Sequence, residues 1–299
     1  MSELIFTNDH ILTWMRYFSQ EMELNLEKVK LLNICDKAKN VIPSIETHKR
    51  VMIFANESHK DLCYELWEAG LGDCDIWYGE GLTPAGKLRH SKVQELIQKE
   101  LTGPTVLLVV NANTRETYHF GIKNENFSRG PIHYVGSEIR AVIMSLLHVD
   151  SNDCICVISG ESIVIEAAIA ASEGTIIAVE NDLGSKNSMH DNAAKFGVHN
   201  VQIITDLKKE TLDPLPTPRL AFIVATKTLE DDIRQLLAVN PRMEFVIYTL
   251  ELDILSQIKG IFERNGIQDM EVLQISVSKA DKNSIFVAQP APWLISGHA

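Results

Sequence analysis

The sequence predicts an α/β protein with two sheets: a small parallel one, then a larger one of seven strands whose last two pair as an antiparallel hairpin. Three observations predict it. From residue 50 onward, short apolar runs bounded by turn residues alternate with amphipathic stretches. A polar connector carrying Gly121, Gly130, Pro131 and Gly136 interrupts that alternation between residues 114 and 137. The chain closes with two strand-like runs, EVLQISVS and SIFVAQPAPWLISG.

Taken in order, residues 1–49 read as a mostly helical segment, in which Leu24, Leu26, Val29, Leu31 and Leu32 make a patchy apolar face that Pro43 breaks. RVMIFAN (Arg50 to Asn56) is a buried strand. Glu57 to Ala69 is a helix with Leu62, Leu66 and Ala69 on one face and Gly70 at its end. A strand at Cys74 to Glu80, a helix at Ser91 to Leu101 and a strand at Pro104 to Asn113 complete a small parallel α/β domain over residues 50–118. It has no glycine-rich turn to hold a nucleotide. The connector is the domain boundary, and the second domain spans residues 119–299. Ser137 is placed to cap the helix SEIRAVIMSLL, with Ile139, Val142, Ile143 and Leu146 on one face. Strands follow at Asp153 to Ser159, Thr175 to Asn181, Val201 to Thr205, Arg219 to Thr226 and Met243 to Leu250. Helices lie between them at about Ser162 to Ser172 and Ser188 to Phe196, around Leu229 to Leu237, and from Glu251 to Asn265.

The 299 residues are 45% hydrophobic and 23% charged, which excludes a disordered chain, a collagen-like fibre and a coiled coil. No apolar run reaches about 18 residues, so no membrane span is expected. The first residues lack a basic start followed by an apolar core, so no secretory signal is expected. With 40 acids against 28 bases the net charge is −12, which argues against a nucleic-acid partner. Cys35, Cys63, Cys74, Cys154 and Cys156 sit in apolar segments at no metal-ligand spacing, and the ten histidines are scattered. Buried reduced thiols in a cytoplasmic protein, and no metal site, are the expectation.

In an open parallel sheet a ligand sits at the carboxyl ends of the strands, at the topological switch point. That selects Ser159, Gly160, Glu161 and Ser162 after the first strand of the larger sheet, where amides at a helix N-terminus suit a carboxylate. Glu180, after the second strand, stands where an ionised carboxylate could accept both hydroxyls of a ribose. Asp206 and Leu207 end the third strand, where an adenine would lie. Val224 and Ala225 end the fourth and would border the reacting group.

Several stretches carry a family resemblance. HFGIKNENFSRG (His119 to Gly130), SEIRAVIMSLL, SIVIEAA (Ser162 to Ala168), AVEND (Ala178 to Asp182), NAAKFGVHNVQII (Asn192 to Ile204) and the closing ISG make residues 119–299 resemble the T-type, decarboxylating precorrin methyltransferase of cobalamin biosynthesis. That implies a class I S-adenosylmethionine (SAM) methyltransferase fold, Rossmann-like with seven strands, and SAM as cofactor. It also implies a tetrapyrrole substrate and a homo-oligomer, dimer or tetramer. EAGLGDCDIWYGEGL (Glu68 to Leu82) and TVLLVV (Thr105 to Val110) resemble the second half of the E-type precorrin methyltransferase, a fold that binds SAM between two halves. Only about 49 residues precede that half, so residues 1–118 read as a structural remnant or docking module.

The chain departs from the family pattern where the donor would bind. The family's first-strand loop opens with an acid and carries three glycines, whereas CVISGES (Cys156 to Ser162) keeps only Gly160 and brings in Ile158, Glu161 and Ser162. VATKT (Val224 to Thr228) replaces a glycine-rich turn, and Val135 replaces a threonine ahead of the first helix. Glu180 is kept. An acidic substrate would need a local basic patch, for which Lys123, Arg129, Arg140, Lys279 and Lys282 are the candidates, beside Val135. Two functions stay open: methylation of a precorrin or cobalt-precorrin ring carbon with loss of carbon dioxide, for which no general base is nominated, or a chain that keeps the fold for binding or assembly.

Overall fold

The computed structural model describes residues 6–36, 38–115, 120–128, 135–280 and 282–299. The chain divides into two units, Met1–Thr117 with Gly197–His199, and Tyr118–Phe196 with Asn200–Ala299.

The first unit contains α1 (Asn8–Met22), β1 (Lys30–Asn33), α2 (Val41–Thr47), β2 (Arg50–Ala55), α3 (Leu62–Leu66), β3 (Asp75–Glu80), β4 (Arg89–Lys92) and β5 (Thr105–Val110). Thr7 caps α1 by accepting the His10 N–H, while the His10 ring accepts the Thr7 N–H. The sheet order is β1-β2-β5-β3-β4. Only β1 and β2 are parallel; β5 runs antiparallel to both β2 and β3, and β4 antiparallel to β3. The expected all-parallel arrangement is thus replaced by a mixed sheet. The reason is visible at residues 91–101: the expected helix is instead β4 followed by a single 3-10 turn, Val93–Glu95, so no crossover helix returns the chain for a parallel β5. The expected helix over 57–69 is broken as well, into a 3-10 turn, α3 and a π turn that ends around Gly70, whose φ is +83°. The continuous apolar runs of β2 and β5 arise because both sheet faces are covered. Val51, Ile53, Leu107 and Val109 face one core, and Met52, Phe54, Val106 and Leu108 face Trp14 and Phe18. Because β1 pairs with β2, part of the first 49 residues belongs to this sheet.

The second unit runs α4 (Ser137–Leu147), β6 (Cys154–Ile158), α5 (Glu161–Ala170), β7 (Thr175–Val179), α6 (Leu183–Phe196), β8 (Val201–Ile204), α7 (Lys209–Leu212), β9 (Leu220–Val224), α8 (Leu229–Val239), β10 (Glu244–Thr249), α9 (Leu252–Arg264), β11 (Gln268–Gln274), β12 (Ser278–Ala280), β13 (Phe286–Ala288) and β14 (Trp293–His298). Its seven-stranded sheet has the order β11-β14-β10-β9-β6-β7-β8. The strands from β10 to β8 are parallel, and β14 inserts antiparallel between β10 and β11. The expected terminal hairpin forms from β11 and β14, and a second small hairpin, β12 with β13, lies between them in sequence. Ser137 occupies the first helical position of α4 and does not cap it; Gly136 is the N-cap. Gly121, with φ +81°, lets α4 pack close, since a Cβ there would lie 2.8 Å from the Ser137 carbonyl oxygen.

Cys154 and Cys156 share one buried face of β6, and all five cysteines carry reduced thiols. Burial pushes the Cys154 thiol up to about 12, and that of Cys156 higher still, so neither is a nucleophile near neutrality.

The amino ends of three neighbouring strands are tied by one guanidinium. Arg219, just before β9, donates to both carboxylate oxygens of Asp153 at 2.7 Å and to Glu244 Oε1, at the start of β10, at 2.6 Å. Burial alone would raise the Asp153 carboxyl. The hydrogen bonds from Arg219 and the Asp150 N–H, with the nearby positive charge, outweigh it and hold the group below the usual carboxylate range. A depressed carboxyl contributes stability above its unfolded-state range and loses it as pH falls through the folded value. Acid melts of the whole chain and of Asp153→Asn should therefore converge: the wild type is more stable at neutral pH, and the advantage is lost as acid takes the pH below the ordinary carboxylate range. Parallel curves across that range would refute this role for Asp153.

Candidate functional site

The parallel strands end in line. Ile223, Ile158, Val179 and Ile204 pair across β9, β6, β7 and β8, so the residues that follow them lie along one edge of the sheet. The chain reverses its direction of building between β6 and β9, which makes that point the topological switch, the place where open α/β sheets generally take a ligand. The candidates at Ser159–Ser162, Glu180, Asp206–Leu207 and Val224–Ala225 are brought together along this edge.

Ser159 takes a left-handed backbone conformation with φ +56°, a region that favours glycine, and its N–H donates to the Val179 carbonyl at 3.3 Å. Gly160 follows as the N-cap of α5, with φ −128°. A Cβ on Gly160 would lie 2.9 Å from Val157 Cγ1 and 3.0 Å from Phe222 Cε1. Its bare backbone therefore serves close packing onto the sheet beneath it. Glu161 and Ser162 open α5 and are both buried. The Glu161 Oε2 accepts a hydrogen bond from Ser188 Oγ of α6 at 3.1 Å.

Glu180 is 6% exposed. Its Oε1 accepts the N–H groups of Asn181 at 2.7 Å and Asp182 at 2.9 Å, which fixes the carboxylate at the end of β7. Its Oε2 is buried and has no hydrogen-bond partner among the described residues. A buried carboxylate oxygen left in that state costs about 1–3 kcal/mol or more, and a ligand hydroxyl would recover it. Asp206 turns its Oδ1 to the Lys208 N–H at 3.0 Å and to Thr211 Oγ1 at 2.8 Å, closing the turn into α7. The Thr211 hydroxyl and the Lys208 amide hold its carboxyl below the usual range. Leu207 is packed into the core with Leu212. Ala225 is buried, its N–H bonded to the Tyr248 carbonyl at 2.9 Å, and Val224 is half-buried beside it.

The basic candidates are held in different ways. Arg140 is fully buried, which corrects its reading as a substrate contact. It donates from Nε to Glu166 Oε1 at 2.7 Å, from Nη1 to Asn124 Oδ1 at 2.7 Å and to the Val135 carbonyl, and from Nη2 to the Ile122 carbonyl. Its guanidinium also lies over the Phe127 ring. The apolar spacing of α4 shows why: Arg140 falls among Ile139, Ile143, Met144 and Leu147 on the buried side. Val135 enters the structure through that carbonyl. Lys279, on β12, pairs with Glu138 of α4 at 2.8 Å. Lys123 and Lys282 are exposed, and Arg129 lies outside the described residues. A cleft of about 520 Å³ between the starts of α8 and α9 is lined by Lys227 but also by Glu230, Glu251 and Asp253, an unfavourable wall for a polycarboxylate.

Three residues that sequence reasoning passed over complete the region. Glu166 accepts the N–H groups of Gly121 and Ile122, each at 2.9 Å, besides Arg140. Asn192 takes the Ser128 N–H at 2.7 Å and gives its amide to the Ser128 carbonyl at 3.0 Å. Ser188 reaches both Glu161 and the Ser128 carbonyl. The signal for Glu166 was present: it is a charge inside the otherwise apolar run SIVIEAA.

Counted along the unit, the strand order is six, seven, five, four, one, two, three, with only the seventh antiparallel, and an acid ends the second strand. That arrangement defines a class I SAM-dependent methyltransferase fold. The sequence model of the precorrin methyltransferase domain matches residues 133–289, and the chain belongs to that family. Among similar solved structures is a precorrin-6y C5,15-methyltransferase from Geobacter metallireducens, 27% identical, covering 60% of this chain and 97% of its own, with a TM-score of 0.55. Another is a precorrin 8W decarboxylase from Methanobacterium thermoautotrophicum, 18% identical over 60% of this chain and 100% of its own, at a TM-score of 0.52. No curated protein matches the chain. Among the described residues no helix is long and apolar enough to cross a membrane, and no three His, Cys, Asp or Glu side chains are grouped to hold a metal.

Proposed function

We propose that this chain methylates a precorrin or cobalt-precorrin ring carbon, with decarboxylation of an acetate side chain, using SAM as donor. The observation that carries the reading is the unpartnered Glu180 Oε2 at the end of β7, an acceptor held in place for a ribose diol. When bound, SAM supplies an electrophilic methyl on a sulfonium. The work of this chain is placement, which such a transfer needs more than a strong base. Glu180 would hold the ribose. Val224 and Ala225 would border the reacting group, and the start of α5 would meet the amino-acid end. Arg140 and Glu166 anchor residues 121–124, and Asn192 anchors Ser128, so residues 121–128 are fixed beside α5 and α6. Residues 1–118 serve as a structural or docking module.

An oligomer is part of the same proposal. Edge strand β11 exposes Met270, Val272 and Leu273, and the β12–β13 hairpin region exposes Ile285, Phe286 and Val287. A cytoplasmic site of action accords with the reduced thiols.

One observation favours the alternative, a chain that keeps the fold without catalysis: side chains at Ile158, Glu161 and Ser162 where the family pattern leaves space. Titration with SAM decides between them. At 100 times its dissociation constant SAM should stabilise the chain by about 2.7 kcal/mol in thermal melts. Labelled methyl should then appear in an added precorrin, with release of carbon dioxide. No thermal shift at millimolar SAM would establish the alternative.

A further inference from the structure

We propose that the Tyr248 hydroxyl is the proton donor of the decarboxylation, delivering to the shortened side chain the proton that takes the place of carbon dioxide. This deepens the function proposed above and rests on it. Tyr248 is the last residue but one of β10, and it pairs with Val224, the last residue of β9. Both stand at the carboxyl edge of the sheet, where the reacting group would lie. Side chains alternate along a strand. Phe245 and Ile247 turn to the core beneath α8 and α9, so Tyr248 lies on the opposite face, the one on which α4 packs. α4 itself starts at the carboxyl edge, because its far end lies at the amino ends of the strands, where the His148 carbonyl accepts Arg219 Nη2 at 3.3 Å. Tyr248 is half-buried, and its hydroxyl has no hydrogen-bond partner among the described residues.

The reaction needs such a group. When the acetate loses carbon dioxide, the bond from its CH₂ carbon to the carboxylate carbon breaks, and the electron pair stays on the CH₂ carbon. That carbon becomes a methyl only by taking a proton. Tyr248 gives it from its O–H, and the tyrosinate left behind recovers a proton from water. A donor for this step must hold its proton near neutrality. Burial pushes the Tyr248 phenol above its ordinary range, so the hydroxyl stays protonated there. Other groups at the same edge are engaged or already ionised. The Thr226 and Thr228 hydroxyls share a hydrogen bond of 2.9 Å, and Thr249 Oγ1 accepts the Glu251 N–H at 3.0 Å. The Asp206 carboxyl, held below its usual range, has no proton to give near neutrality.

The test supplies the full chain with methyl-labelled SAM and a precorrin that carries the acetate, and compares the wild type with Tyr248→Phe, which loses the hydroxyl alone. Mass spectrometry reads the decarboxylated ring formed per methyl transferred. In Tyr248→Phe this ratio should fall by about 10²-fold or more, the share that a positioned proton donor supplies. Methylated ring with its acetate intact should accumulate. The melting midpoint should hold, since the lost hydroxyl makes no hydrogen bond in the fold. Thr226→Ala, which removes another hydroxyl of the same edge, should keep the wild-type ratio. An unchanged ratio in Tyr248→Phe, an equal fall of both steps, or the same fall in Thr226→Ala overturns the proposal. So does a wild type that transfers methyl and leaves the acetate whole. A wild type that transfers no methyl overturns the function itself and takes this proposal with it.

Discussion

Glu180→Ala should abolish measurable donor binding. A carboxylate accepting two ribose hydroxyls makes charge-assisted hydrogen bonds worth about 1.5–3 kcal/mol each. Their loss corresponds to an affinity for SAM and for S-adenosylhomocysteine lower by about 10²–10⁴-fold in titration calorimetry. Glu180→Gln, which keeps one acceptor oxygen, should fall between. The fold should suffer little, because among the described residues Glu180 serves only the Asn181 and Asp182 N–H groups, bonds to a loop that solvent can replace for about 1 kcal/mol. A variant that binds both ligands as the wild type does would show that the ribose lies elsewhere, even if the protein proves to be a methyltransferase.

Arg140→Met should have the opposite character, a large loss of stability. Arg140 and Glu166 are side chains of 0% and 1% exposure. Removing one partner of such a pair leaves an uncompensated charge and costs about 3–5 kcal/mol. For a unit of this size the melting midpoint should fall by on the order of 10 °C. The variant also orphans the carbonyls of Ile122 and Val135, to which Arg140 donates. A substrate-binding arginine on the surface would behave differently: its loss would spare the melt and raise KM. An unchanged melting midpoint would therefore return Arg140 to the list of substrate contacts.

These two residues show where sequence reasoning reached and where it stopped. The placement of Glu180 was legible because it is local: an acid one residue past a buried strand, with two amides that follow it. The seven strands of the larger sheet were legible for the same reason, since each is a short apolar run between turn residues. Arg140 was misread because its partners are remote in sequence. Nothing in SEIRAVIMSLL announces that a carboxylate 26 residues on will meet the guanidinium, and an arginine in a helix is usually solvated. The smaller sheet failed at two points, β1 inside residues read as helical and the stretch before β5. The stretch Ser91 to Leu101 has helical spacing, but its first residues pair with β3, and strand pairing overrides propensity. Direction was lost with it, because parallel pairing was inferred from a helix that does not form.

Gly160 bears on how such chains are to be read. Its missing side chain is demanded from below, by Val157 and Phe222, rather than from above by any ligand. Descendants that abandoned methylation would still be held to glycine there by the floor of the fold. Tallying glycines in this bend thus measures architecture, and a lineage's loss of chemistry should show first at position 180, where the scaffold exerts a far weaker grip.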